Sequence, residues 1–454
     1  MLHTRKLLDE MARQRERLLS YQQRHGDTLG LYRAALANLR LGYPSAARLE
    51  AAQRATLAGQ QEPEPLGARP TVEYDAWLAT NDRFPTLRFG ERFDSHEQSR
   101  AWAERLRGVT TFAVDGSQLP PWRDASAPVA LVQAGLYENP HQPPQPYLKD
   151  IVVELLTPEE LTGDDPDLID ARTGDDMGYS NRFVQLRRFE LEADTIITRM
   201  EHHQRRRAEL AARGEPAPLV VAFYDGSLIV SFALKSPPPY RERYVGAALR
   251  LLEASRRCGV PLLGYIDTSY ARDIVVMLRG LAGASGDVSG LPPETRGLSD
   301  PLLWHGALGW GDRTPAFLSA RYDLARMGYS AGDHSDGEGD NGSHNDGHNE
   351  GRSDGRGEVG FVYFQAALDR PPARIEFPRW LLDDGLLDRV LEVVRAEVIA
   401  GTGYPYPIEA ADAVAVISAP DRAQFYALFQ EFAAREGIHF SFSRKALSKS
   451  RRRI

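Results

Sequence analysis

The stretches VTTFAVDGSQL (109–119) and LVVAFYDGSLI (219–229) are two copies of one local pattern, in which β-branched and aromatic residues run into Asp-Gly-Ser. Such a run, closed by a Gly-containing turn, predicts a buried strand. Each strand then ends on a carboxylate, Asp115 in the first and Asp225 in the second, where the backbone reaches solvent. Two carboxylates on neighbouring strands suit a hard divalent cation, which takes oxygen ligands. A lone Asp-Gly is more often a turn than a ligand; its repetition at two strand ends carries the weight. Gly116 and Gly226 permit tight backbone turns near a substrate. Ser117 and Ser227 place hydroxyls beside the carboxylates.

Outward from the pair, strands are expected at 109–115, 128–137 and 149–156, and their short connections favour antiparallel neighbours. A long helix follows at 180–212, with Phe189, Ala193, Ile196 and Met200 on its apolar stripe. Strand 219–225, helix 243–258, strand 260–267 and helix 270–283 complete a β-β-β-α-β-α-β-α succession. That succession is the one found in ribonuclease-H-like sheets, where the fourth strand lies parallel beside a central first strand. Asp115 and Asp225 then emerge at one sheet edge, where α/β proteins place their sites. The intervening helix offers a third carboxylate, with Glu190 and Glu192 both flanking its stripe. Later strands are expected near 360–367, 373–377 and 413–418, with helices near 384–400 and 421–435.

The fold class expected is therefore α/β: a ribonuclease-H-like mixed-sheet core with an N-terminal helical arm and C-terminal α/β additions. Its parts are a helical arm at 1–60 with Leu7, Met11 and Leu18 on one stripe, a linker and entry segment at 61–104, and a core at 105–330. An acidic low-complexity loop at 331–358, a continuation of the core at 359–440 and a basic tail at 441–454 follow. The 331–358 segment lacks apolar residues beyond Ala331, and burial cannot offset its ordering entropy, so it is expected to be disordered.

Charge is uneven. The chain carries −8 overall, but −2 without the 331–358 segment, and the terminal SRKALSKSRRRI holds six basic residues. This argues against a constitutive basic coat and leaves room for a local cationic groove. One cysteine, Cys258, excludes an internal disulfide framework. No apolar run spans a membrane and the N-terminus lacks a signal-peptide core, so a cytoplasmic protein is expected. A site of three acidic groups, with one or two divalent ions to relieve their repulsion, could activate water against a phosphodiester.

The ordered set FAVDGSQLPP, RRFELEADTI, FYDGSLIVSF, GYIDTSYARDIVVMLR, LSDPLLWHGALGWGDRTPAF and RIEFPRWLLDD…GTGYPYPIEAADAVAVISAPDR resembles the NurA nucleases over about residues 105–435. The resemblance implies a Mn²⁺-dependent DNA exonuclease and endonuclease, with Mg²⁺ as an alternative ion. It also implies a homodimer that works with the hexameric translocase HerA on single- and double-stranded DNA ends, in repair or in antiphage defence. Carried onto this chain, the metal and catalytic set is Asp115, Glu192, Asp225 and Asp412. Glu192 fits the family run better than Glu190.

Two departures stand out. Asp412 lies where the family usually has His; it still suits a hard cation but is no neutral imidazole. Asp267 lies where many members have Lys, and Arg272 is the nearest replacement. Lys235, Arg241, Arg243, Arg272 and Arg313 are candidate phosphate contacts, and Tyr404 and Trp304 candidate base-stacking rings, with core packing the simpler role for Trp304. Those departures support an alternative reading, a weakened or inactive NurA-like subunit that binds the translocase and guides DNA. The absence of a Walker-type glycine loop argues against a phosphotransferase.

Overall fold

The computed structural model describes residues 3–58, 66–80, 82–88, 95–122, 125–162, 181–284, 291–292, 295, 297–321 and 358–441. Most of the expected acidic loop, most of the basic tail and part of the expected linker lie outside them. The described strands are β1 (Gly67–Pro70), β2 (Val109–Leu119), β3 (Ala130–Asn139), β4 (Leu148–Leu156), β5 (Leu219–Asp225), β6 (Leu262–Ile266), β7 (Phe317–Ala320), β8 (Val359–Phe364) and β9 (Ala373–Pro378). No helix among the described residues is long and apolar enough to cross a membrane.

The chain divides into two compact units, one formed by residues 1–92, 266–326 and 358–376 and the other by the remainder. In the first, strands follow the order β1-β7-β8-β9. The expected linker contributes β1, whose Gly67 pairs antiparallel with Ala320. Helices Thr4–Gly42 and Asp273–Ala284 pack around Tyr32, Leu36, Trp77, Leu278, Trp304 and Phe361. Trp304 stacks on Tyr363 and donates its indole N–H to the Pro85 carbonyl at 2.9 Å, a core role. Leu7, Met11 and Leu18, the expected stripe, are exposed; the long helix packs through Tyr32, Leu36 and Leu39 near its other end.

The second unit orders its strands β6-β5-β2-β3-β4. β2 runs antiparallel to β3 and parallel to β5, and β5 runs parallel to β6. The first strand of this group is thus central, with the fourth parallel beside it. Phe112 and Phe223 are fully buried, and each such side chain contributes about 1.5–3 kcal/mol relative to exposure. The Asn181–Ala212 helix buries Phe189, Ala193, Ile196 and Met200 against the sheet, as its 3.6-residue spacing predicts.

Two local expectations are corrected. Residues 413–418 form no strand: Tyr406–Ala415 is a helix, started by Pro405 and Pro407. It lies on β2 and β3, and Gly135 makes that possible, since a Cβ there would fall 2.6 Å from the Ala415 nitrogen. The first Asp-Gly-Ser is also not a strand end. β2 continues through Asp115, Gly116 and Ser117 to Leu119, paired with β3 throughout. Only the second copy turns, at Gly226, whose φ of +129° favours glycine.

Candidate metal centre

The parallel register of β2 and β5 runs to Val114 opposite Tyr224. Asp115 and Asp225 are the next residue on each strand, so they sit side by side and point to the same face. Side-chain contacts identify that face. Thr111, four places before Asp115 and so on the same face, donates to Glu397 of the Leu387–Ala400 helix at 2.7 Å. Gly135, paired with Asp115, meets Ala415 of the Tyr406–Ala415 helix. Asp412, on that same helix, is within hydrogen-bond reach of Asp115. The Tyr404 hydroxyl donates to Asp225 Oδ1 at 2.8 Å, and its ring packs edge-on against Tyr265.

Glu192 comes from the other face. Phe112, which alternates with Asp115, stacks on His203 of the Asn181–Ala212 helix, so Phe112, Val114 and Gly116 face that helix. A Cβ on Gly116 would lie 2.7 Å from Glu192 Cδ. The carboxylate therefore reaches the strand through the gap that glycine leaves. Arg188, one turn earlier, donates from Nη1 to Glu192 Oε1 at 2.7 Å and to the Gly116 carbonyl at 3.1 Å.

Electrostatics reflect this crowding. Burial raises the Asp115 pKa most; Asp412 and Asp225 raise it further against the Gly116 N–H, and it stands at about 6. Burial likewise lifts Glu192 to about 8, although the Arg188 charge opposes the rise, and Asp115 and Asp225 add to it. Glu190 has another role. It accepts from Arg243 Nε at 2.8 Å and from Arg187 Nη1 at 2.6 Å, and Arg187 also bonds Glu154. Of the two helix glutamates, Glu192 is the one beside the aspartates.

The donor set is all carboxylate oxygen, which suits a hard divalent cation, and a cation would relieve the unfavourable charge that raises Asp115 and Glu192. The groups are assembled by the fold but not drawn into a cage. Among the described residues no three His, Cys, Asp or Glu side chains stand close enough together to hold an ion.

The remaining candidates divide. Lys235 is exposed at the end of a 3₁₀ turn, Ser231–Lys235, in the same unit. Arg313 belongs to the first unit and is corrected: it is buried and doubly bonded to Glu73, with Nη1 to Oε2 at 2.7 Å and Nη2 to Oε1 at 2.8 Å. Arg272, also in the first unit, is exposed just before the Asp273–Ala284 helix and donates to Thr295 Oγ1. Asp267 faces Arg370 at 3.8 Å. Tyr404, a candidate base-stacking ring, also holds a carboxylate through its hydroxyl. Arg188 was missed, although its i,i+4 spacing from Glu192 is a readable ion-pair signal.

The family model for the NurA domain matches residues 109–417. The chain belongs to the NurA family. A crystal structure of NurA with manganese is 8% identical, with the match covering 72% of this chain and 89% of that one at a TM-score of 0.31. A crystal structure of NurA bound to dAMP and manganese is 9% identical, covering 69% and 85% at a TM-score of 0.28. A search of curated protein sequences finds no match. The matched span contains both Asp-Gly-Ser copies, the Arg188–Glu192 turn and Asp412, so the whole candidate centre lies within the NurA domain.

Proposed function

We propose that this NurA-family chain is a metal-dependent deoxyribonuclease with a ribonuclease-H-like core, acting on DNA ends as a homodimer beside a HerA-type hexameric translocase. One observation carries the reading. Asp115 and Asp225 stand in register on adjacent parallel strands, with Asp412 against the first and Tyr404 on the second. The same set supports Asp115, Asp225 and Asp412 as Mn²⁺ or Mg²⁺ ligands, with Glu192 the fourth. A bound divalent ion supplies Lewis acidity, lowering the pKa of a water and stabilising charge on a phosphodiester.

The protein's own groups prepare that chemistry. Tyr404 fixes the Asp225 carboxylate by donating to Oδ1. Arg188 holds Glu192 against the strand and neutralises it until a cation competes. Asp412 in place of the expected His keeps the set anionic, and exposed Lys235 supplies positive charge within the same unit. The test is cleavage of labelled single- and double-stranded DNA by the purified chain with Mn²⁺, compared with Asp115→Ala and Asp225→Ala. Cleavage retained by both variants would overturn the site.

The Arg188–Glu192 pair favours a second reading, a weakened NurA-like subunit that guides DNA for the translocase. Mn²⁺-dependent cleavage by the isolated chain decides against it, and cleavage appearing only after Asp412→His decides for it.

A further inference from the structure

Beside Arg188, a cavity of about 420 Å³ is lined by Gly116, Gln118, Gln185, Arg188, Phe232 and Tyr244. It lies on the Gly116 face of β2, opposite Asp115, and its aromatic rings and amides belong to no part of the carboxylate set. Phe232 is its least expected member. Edge contacts to Tyr244 at 5.0 Å and Phe189 at 6.2 Å between ring centres fix the ring, yet it remains 55% exposed. A rigid aromatic left open to solvent beside a cavity is a surface for stacking.

Three polar observations point the same way. Gln118 Oε1 is buried with no hydrogen-bond partner among the described residues, and a buried unpaired acceptor is costly unless a ligand donates to it. Arg188 makes both of its bonds through Nη1, leaving Nε and Nη2 for a ligand. Lys235 is exposed on the same 3₁₀ turn as Phe232, so a cation flanks the ring.

We propose that this cavity receives one unstacked nucleotide of an unpaired DNA strand. The base stacks on Phe232, its exocyclic amine donates to Gln118, and its phosphate lies between Arg188 and Lys235. The proposal rests on the nuclease reading and adds to it: single-strand recognition lies on the sheet face opposite the aspartates, reaching the carboxylates through Arg188 and Glu192.

The experiment uses the full chain in EDTA, so that nothing is cleaved, with oligonucleotides carrying 2-aminopurine at the end of a single-stranded overhang. Stacking on Phe232 quenches the probe. Phe232→Ala should remove the quench and weaken single-strand binding by about tenfold. Lys235→Ala should weaken binding and flatten its salt dependence while keeping the quench. Phe232 is exposed, so the variant's circular dichroism should match the parent's. Unchanged quench and affinity in Phe232→Ala, in a chain that still cleaves DNA with Mn²⁺, overturn the cavity assignment alone. A chain that binds no DNA overturns the nuclease reading as well.

Discussion

Glu192 occupies the space where a side chain at Gly116 would be, its Cδ 2.7 Å from the position of that missing Cβ. A backbone choice on a strand thus admits a carboxylate from a helix on the far face. Gly116→Ala must displace Glu192 or shift the strand, and overpacking of this kind costs about 1–3 kcal/mol. We expect Gly116→Ala to fold with a lowered denaturation midpoint and to lose at least tenfold in Mn²⁺-dependent cleavage. Cleavage equal to the parent would show that Glu192 has no part in the reaction.

Asp115 gives a pH signature. Its folded pKa of about 6 exceeds the ordinary 3.8. Between those values the folded chain holds a proton that the unfolded chain has released, so stability falls as pH rises through that window, by about 1–3 kcal/mol. A cation that binds the ionised form reverses the trend. Without metal, Asp115→Asn should therefore melt above the parent at pH 7.5, and Mn²⁺ should raise the melting temperature of the parent more than that of the variant. Equal Mn²⁺ responses would remove Asp115 from the ligand set.

The strand order around Asp115 and Asp225 was legible because the buried runs VTTFAV and LVVAFY leave no alternative to central strands. Glu192 lay open to view as a helix-flank carboxylate, but its route past Gly116 depends on strand alternation and helix placement. The same alternation hid the error at Asp115, since Asp-Gly inside a strand and Asp-Gly at a turn read alike until Gly135 is seen opposite. The Tyr406–Ala415 helix was misread because its short apolar run AVAVI fits either period. Arg313 looked like a free cation because Glu73, its partner, lies 240 positions away.

Tyr404 tests the support of Asp225. Tyr404→Phe removes one hydrogen bond to Oδ1 and keeps the ring against Tyr265. A hydrogen bond to a charged group is worth about 1.5–3 kcal/mol, so Mn²⁺ affinity by calorimetry should fall about tenfold or more. Unaltered affinity would show that the hydroxyl plays no part in ligand placement.

Glu138 tests the sheet rather than the site. This β3 carboxylate is buried, yet Arg199 bonds both its oxygens at 2.5 Å and His203 Nε2 stands 2.8 Å from Oε2. Burial pushes its pKa up, but the His203 and Arg199 bonds outweigh that and hold it at about 2. A depressed carboxylate contributes stability that is complete above its unfolded value near 4.5 and is lost as pH falls toward 2. The parent should therefore weaken steadily in urea melts from pH 5 to pH 3. Glu138→Gln strands Arg199 without its counter-charge, and breaking such a buried pair costs about 3–5 kcal/mol. Glu138→Gln combined with Arg199→Met removes both charges and should recover most of that loss, with a flatter acid limb than the parent. If the single and double variants are equally destabilised, the cost lies in lost packing beneath the sheet and not in the unpaired guanidinium.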